Sequence, residues 1–396
     1  MGGHNRQKNS YTQDYRDNGT PSSVPFANEE GLLPAFNYRQ GSFEKADRLD
    51  ADSQRKRLWL RDLACAGCPI RCSKVGVIRK TKYAHVTTDI VEYESVALMG
   101  SNLGLGDLEG VAYAVRLCDE LGMDSMSTGG VIGFATEALE KGAITTSDLG
   151  GLDLKFGDRS SVIELVKMIA SRENPLARLL GEGVKRASEQ IPGTEEYAVH
   201  IKGLESPAWG PSGAPGMGLA LMTADRGGCH QRAFPILYQV GGELWEDREI
   251  KRLETRGKAE LVTDLQNYLA ALDTLVKCDF AQYDITKKTY LEMLSSAIGR
   301  EYSLDDLMRL GERVWNMVRL FNVREGFSRK DHHLPPRFVK ESLPDGPAAG
   351  HRITEEDMEV MLDEYYKVRG WDGQGRPSQR KLEELGLERL QVPLKT

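Results

Sequence analysis

The chain has 396 residues, 40% hydrophobic and 28% charged, with a formal net charge of −7. That is too long for one ordinary core and fits two or three packed units, while the acid excess argues against nucleic acid as the main partner. No apolar run is long enough to span a bilayer, and Met1 to Asp17 is polar with no signal-like segment, so no membrane role and a cytoplasmic location are expected. Six cysteines in so long a chain are too few for a stapled secreted scaffold and fit a reducing compartment.

Residues 1–24 are rich in Asn, Gln, Ser, Thr and Asp without hydrophobic periodicity, and read as a polar leader with order beginning near Val24. Arg55 to Leu63 reads as a helix that leads into Cys65, Cys68 and Cys72, a C-x2-C-x3-C array. After it, Val75 to Ile78, a turn at Lys80-Thr81-Lys82 and Tyr83 to Val86 read as a β-hairpin. From Glu92 the period becomes helical. Asp107 is placed to cap a helix with Leu108, Val111, Ala112, Val115, Cys118 and Leu121 on one face, and Gly122 to end it. A second helix is predicted over Ser127 to Lys141. Ser161-x-x-Glu164 reads as a capping box, and Pro175 to Gln190 repeats the helical pattern. Gly203 to Gly218 holds five glycines and three prolines in sixteen residues, which marks a domain boundary. Arg248 to Val276, Ser303 to Asn322 and Thr354 to Arg369 are predicted helices. The fold class expected is mainly α: helical domains over 25–200 and 201–396, with a small β-hairpin near the cysteine array.

Three thiols so closely spaced ask for a metal centre. A tetrahedral centre needs a fourth ligand, and Cys118, Cys229 and Cys278 are all available. Clustered thiolates with a remote fourth suit a 4Fe–4S cluster better than zinc, whose structural sites usually come as two paired knuckles; unliganded thiols are the remaining alternative. Gly104 to Gly110 comes close to a dinucleotide fingerprint, but its last glycine is one place late and it follows no buried strand. There is no G-x4-G-K-[ST] and no H-E-x-x-H motif. Glu94 lies in an apolar neighbourhood where proton transfer is possible, against the ordinary alternative of a solvated glutamate. His230 follows a glycine pair where backbone can approach a ligand, although a lone histidine is more often structural. Asp119 and Asp124 flank the Gly122 turn and are suited to accept N–H groups of a heterocycle; Asp124 serves equally as a helix N-cap. Asp273, five residues before Cys278, makes a similarly spaced second segment.

Taken together and in order, the array Cys65/Cys68/Cys72, Tyr93-Glu94, Asp119-x-x-Gly122-Met123-Asp124-Ser125, Ile201-Lys202-Gly203-Leu204-Glu205, Arg226-Gly227-Gly228-Cys229-His230, Asp273-x4-Cys278 and Leu320-Phe321-Asn322-x-Arg324-Glu325-Gly326-Phe327 resemble the tungsten-containing aldehyde:ferredoxin oxidoreductases. The similarity runs from about Asn18 to Leu387. It implies that Cys65, Cys68, Cys72 and Cys278 hold a 4Fe–4S cluster, with Cys118 and Cys229 as non-ligands. It also implies that Asp119, Gly122, Asp124, Ser125 and Asp273 bind a tungsten or molybdenum bis-pterin, and that Glu94 and His230 are the catalytic acid and imidazole near the metal. The implied reaction oxidises an aldehyde to a carboxylic acid and passes electrons through the cluster to ferredoxin. A family member with another substrate, such as an aromatic-ring reductase subunit, and a cluster-carrying electron-transfer subunit are the alternatives.

Three departures stand out. Val276-Lys277 replaces the usual Gly-Leu before the fourth cysteine. Gly210-Pro211-Ser212 stands where relatives often have Asp-Pro-Arg. The resemblance begins at the second domain of the family, so the expectation is that the N-terminal β-rich domain comes from a separate subunit or a longer chain; a homodimer is the other expected assembly. Finally, Arg71, Lys74, Arg79, Lys80 and Lys82 lie between Cys68 and Thr88 with no acid among them, a positive patch suited to an acidic electron carrier.

Overall fold

The structure, a computed structural model, describes residues 11–89, 91–283 and 285–390. Its α-helices, in chain order, are α1 (Tyr11–Asn18), α2 (Ser23–Glu29), α3 (Ala51–Arg57), α4 (Tyr93–Leu98), α5 (Leu108–Leu121), α6 (Ser125–Glu140), α7 (Arg159–Ser171), α8 (Pro175–Leu180), α9 (Val184–Gln190), α10 (Pro215–Thr223), α11 (Ile236–Gln239), α12 (Lys258–Asp273), α13 (Lys287–Ile298), α14 (Leu304–Arg324), α15 (Pro336–Lys340), α16 (Glu355–Arg369) and α17 (Gln379–Leu385). Strands β1 (Trp59–Leu63), β2 (Ser73–Val77) and β3 (Thr87–Asp89) form an antiparallel sheet in that order, and β4 (His200–Ile201) pairs with β5 (Leu204–Glu205). The chain is mainly α, as its periodicity predicts. Among the described residues no helix is long and apolar enough to cross a membrane.

Local signals place several helices well. Ser303 and Thr354 cap α14 and α16 through full capping boxes with Asp306 and Asp357. Gly122 ends α5 in the left-handed conformation, φ 69°, which an L side chain adopts at a cost. Other expectations are corrected. Helix begins at Tyr11, well before Val24; residues 1–10 of the expected leader lie outside the described residues. Helix α3 stops at Arg57, and Trp59–Leu63 is a strand because it pairs with β2, Trp59 opposite Gly76 and Leu63 opposite Ser73. The returning strand is Thr87–Asp89, after a tight connection closed by Ile78 N–H to Val86 C=O at 3.2 Å. Ser161-x-x-Glu164 does not open α7: Asp158 accepts from the Ser160 and Ser161 amides and starts the helix at Arg159. Gly183, at φ 92°, separates α8 from α9. The helix expected from Arg248 begins only at Lys258, after Gly257 at φ 76°.

The described residues divide into two compact units. The first comprises Gln13–Gly213 and Leu334–Arg352; the second contains Ala214–His333 and the chain from Ile353. The segment Leu334–Arg352 therefore does not belong with the rest of 201–396. Arg337 on α15 explains its return: its guanidinium donates to Glu137 Oε1 and Oε2 at 2.7 and 2.6 Å, and both side chains are buried. Asn37 Nδ2 donates to Glu137 Oε2 at 2.8 Å, and Lys141 pairs with Oε1 at 3.2 Å. Removing one partner of such a buried pair leaves an uncompensated charge.

In the second unit α14 crosses α12 at very short range. A Cβ on Gly311 would stand 1.7 Å from the backbone oxygen of Asn267, so only glycine fits without moving a helix. Beside this crossing the fully buried Arg369 donates to Tyr365 Oη (3.0 Å), Gln266 Oε1 (2.6 Å) and Asn267 Oδ1 (2.5 Å), and Gln266 Nε2 reaches Thr223 Oγ1 at 3.0 Å. We expect Gly311→Ala to cost about 2–3 kcal/mol, the scale of overpacking in a core, as a lower urea midpoint. Gly373→Ala, where nothing lies within 4 Å of the added atom, is the control and should stay near wild type. Equal midpoints for the two variants would mean that the helices separate freely.

Candidate metal and cofactor site

In the first unit the three clustered cysteines sit in the loop joining β1 to β2. The loop curls through a turn in which Cys68 N–H donates to Cys65 C=O at 3.0 Å, with Gly67 and Arg71 in left-handed conformations at φ 72° and 57°. Cys65 is exposed, Cys68 and Cys72 are half-buried, and none of the six cysteines is in a disulfide. Cys278, in the second unit, is also exposed and follows α12 by a short turn. Among the described residues no three His, Cys, Asp or Glu side chains are gathered closely enough to hold a metal ion, so the loop presents ligand candidates and not a formed centre.

The other two thiols fit a ligand role poorly. Cys118 has no exposed surface on α5, and burial pushes its thiol up to about 11, far from the thiolate a metal needs. Cys229 is buried, and its Sγ accepts from Arg226 Nε and Nη2 at 3.1 and 2.9 Å. Burial and existing partners thus set Cys118 and Cys229 apart from the exposed and half-buried thiols.

Glu94 lies in the first turn of α4. Its Oε2 accepts from the Ala208 amide at 2.7 Å, while Tyr93 Oη donates to Ala208 C=O at 2.6 Å and Tyr38 Oη to Ser206 C=O at 2.6 Å. The glycine- and proline-rich stretch is thereby held against α4. Both phenols are pushed well above their ordinary range, first by burial and then by the negative charge of Glu94. One residue on, Ser95 Oγ lies 2.8 Å from Ser125 Oγ, so the Glu94 turn touches the start of α6. Asp119 and Asp124 are exposed on either side of Gly122, above which a Cβ would meet nothing within 4 Å. Asp124 also caps α6, its Oδ1 accepting from Ser127 N–H at 2.6 Å. Two outward carboxylates beside an open glycine turn suit the N–H groups of a flat heterocycle. Glu205, from the Ile201–Glu205 segment, accepts the Val184 amide at 2.7 Å at the start of α9, a structural task.

In the second unit His230 opens a 3₁₀ turn that ends at Arg232. Gln231 Nε2 lies 2.8 Å from His230 Nε2; with the amide donating, the ring accepts there and carries its proton on Nδ1 in the neutral form. Arg232 Nη1 donates to Asp273 Oδ2 at 2.6 Å and brings together two segments that the sequence lists separately. Val276 keeps a left-handed backbone, φ 51°, and is 94% exposed. A β-branched side chain is strained there, and glycine, as in the usual Gly-Leu, would relieve it. Arg232 and its second partner Asp225 were not legible as site residues; the only signal was their position next to His230.

The match to known proteins runs through both units. A family model described as aldehyde ferredoxin oxidoreductase, domains 2 and 3, covers residues 3–387. The tungsten-containing aldehyde ferredoxin oxidoreductase of Thermococcus kodakarensis is 35% identical over 373 residues, and that of Pyrococcus horikoshii 35% over 376; each alignment takes in 93% of this chain and 60% of the relative. An aliphatic sulfonate oxidoreductase, described as a WOR-like subunit, from Pyrococcus furiosus is 30% identical over 371 residues, 89% of this chain and 55% of that one. The active-site complex of a benzoyl coenzyme A reductase bound to 1,5-dienoyl-CoA shares the fold, with a TM-score of 0.71 at 19% identity over 96% of this chain and 63% of that one. The chain therefore spans about 60% of the length of these tungsten-containing relatives. On that extent of shared sequence, through the cysteine loop, both aspartate turns and the histidine turn, the chain belongs to the aldehyde ferredoxin oxidoreductase family.

Proposed function

We propose that this chain forms part of a cytoplasmic oxidoreductase that oxidises an aldehyde to a carboxylic acid and delivers the electrons to ferredoxin. The observation that carries the reading is the 35% identity to tungsten-containing aldehyde ferredoxin oxidoreductases along 93% of the chain. Cys65, Cys68, Cys72 and Cys278 would hold a 4Fe–4S cluster. Asp119, Asp124 and Ser125 at one turn, and Asp273 at the other, would take the polar edges of a metal-binding pterin pair, with Gly122 giving the close approach. A bound tungsten or molybdenum pterin supplies the two-electron redox chemistry. Glu94 and His230 would move the protons that accompany it. Of the two ring nitrogens, Nε2 carries the lone pair, now held by the Gln231 amide, and takes a proton only once that amide turns away. The sulfonate-acting relative supports a second reading, a family member with another substrate. Anaerobic protein made with tungstate, alone and with neighbouring-gene products, tests both. Iron and tungsten with aldehyde-dependent dye reduction supports the first reading, both metals without aldehyde turnover supports the second, and zinc alone would discard the two together.

The electron exit lies at the hairpin after the cysteine loop. Of the five cations expected there, four stay exposed. Lys74 is 1% exposed, with Nζ donating to Arg16 and Arg71 carbonyls. Arg71, Arg79, Lys80 and Lys82 remain exposed, with Arg79 fixed in place by the Arg57 and Trp59 carbonyls at 2.7 and 2.8 Å. We expect Lys80→Glu with Lys82→Glu to slow ferredoxin reduction several-fold at low salt and the difference to shrink as salt rises, because exposed charges are screened within about 10 Å at 0.1 M. Reduction of a small neutral dye should not change; parallel loss with both acceptors would place the damage at the cluster.

A further inference from the structure

The turn that presents His230 is fastened by groups to which no function has been attached. Arg232 is the centre of them. Its Nε donates to Asp225 Oδ1 at 2.9 Å, closing the stretch from Asp225 to Arg232 into a loop, and its Nη1 donates to Asp273 Oδ2 at 2.6 Å at the end of α12. Asp225 is itself anchored: Asn322 Nδ2, from α14, donates to its carbonyl at 2.8 Å. This gives a task to the Leu320–Phe327 segment, whose pattern stands out in the sequence without any chemistry of its own. Inside the loop the Arg226 guanidinium on Cys229 Sγ closes the glycine pair Gly227-Gly228. The loop that carries His230 is thus held by a frame that begins on α14 and ends on Asp273.

We infer that Arg232 is a positioning residue that holds the His230 imidazole and the Asp273 carboxylate in one fixed geometry. The reasoning rests on the reading of His230 as a proton carrier and Asp273 as a cofactor-facing acceptor. Only a guanidinium suits the place. Its planar fork offers donors on different edges and reaches two carboxylates in two directions at once, whereas an ammonium is a single point at the end of a flexible stem. With Oδ2 of Asp273 taken, the carboxylate cannot rotate freely, so its other oxygen points one way. The loop holding His230 cannot drift either, because its two ends meet at the same guanidinium. Other charges around the turn are Asp225 and Arg226 in the loop, Asp273 at the end of α12, and Lys277 and Asp279 beyond it; α10, which also packs on the turn, carries none.

The test reads the imidazole directly and needs no metal or cofactor. The 396-residue chain is labelled with nitrogen-15 histidine, and His230 is assigned among the seven histidines by its loss in His230→Gln. Above the pH at which the ring is neutral, wild type should show the Nδ1-protonated form, two well-separated nitrogen signals. In Arg232→Gln the separation should fall by about half or more as the two tautomers mix, with thermal unfolding confirming that the protein is folded. Asn322→Ala, which changes no charge, should move the signals in the same direction by less, and Asp273→Asn should move them too. Arg232→Lys keeps the charge and should not restore the wild-type pattern. An unchanged His230 signature in folded Arg232→Gln overturns the inference, and so does restoration by lysine, which would reduce the effect to charge alone. If Arg232→Gln does not fold, unchanged signals in both Asn322→Ala and Asp273→Asn overturn it instead. Failure of the aldehyde oxidoreductase reading would leave these signals as they are, so the two failures are distinguishable.

Discussion

Cys278→Ala should strip most of the iron and the visible absorbance from anaerobically purified protein, whereas Cys118→Ala should leave both near wild type. The contrast follows from environment. Cys278 is an exposed thiol on a short turn, free to lose its proton to a metal. Cys118 is sealed between α5 and α6, where burial is the first cause of a thiol pushed up to about 11 and the nearby carboxylates of Asp119 and Asp124 add to it; the contact with Thr128 opposes both. Thiolate there would need a charge in an apolar core beside two negative neighbours. Alanine at Cys118 removes only a small buried group. Iron per chain, measured on both variants in parallel, decides: equal losses would defeat the assignment of Cys278 as the remote ligand.

Glu94→Gln and His230→Gln should each lower turnover of the active assembly by about two to four orders of magnitude, the usual contribution of a positioned acid or base, while the metals stay bound. Glutamine is the right probe at Glu94 because its amide oxygen can still accept the Ala208 N–H that Oε2 now accepts at 2.7 Å. The link between α4 and the Ser206–Ala208 stretch is then kept, as is the Tyr93 bond to Ala208 C=O. What is lost is the ability to carry a proton. At His230, glutamine likewise retains a polar side chain beside Gln231 without the titrating ring. Metal content and turnover measured on the same preparations separate the roles: activity lost with metals kept supports proton handling, and joint loss would make the residues structural.

Much of the candidate site could be read locally, as loops and turns of a few residues. Three cysteines in eight residues lie on one loop whatever the rest of the chain does, and Asp119, Gly122 and Asp124 form one helix-to-helix turn by their own capping preferences. The same holds for α14 and α16, whose starts follow from Ser303 and Thr354 three residues before an acid that completes each box. What misled the local reading was competition. Arg55 to Leu63 has helical pattern throughout, yet Trp59–Leu63 is a strand, its backbone paired with β2 from Gly76 back to Ser73. Lys74 looks like an exposed hairpin cation until the strand is paired; then its ammonium is enclosed by the Arg16 and Arg71 carbonyls, with Asp62 at 3.6 Å, and is no longer open to direct contact with a partner.

The sequence by itself determined the mainly helical class, the thiol loop, the two aspartate turns and the family to which they belong, since each depends on spacing within a few residues. Tertiary structure alone decided the rest. It returned Leu334–Arg352 to the first unit through Arg337 and Glu137, required glycine at position 311, buried Cys118 and Cys229, and placed Arg232 between Asp225 and Asp273. These features share one physical cause: the energy of a buried charge, a close helix crossing or a forked guanidinium depends on partners distant in the chain, and no periodicity or cap records where those partners will be.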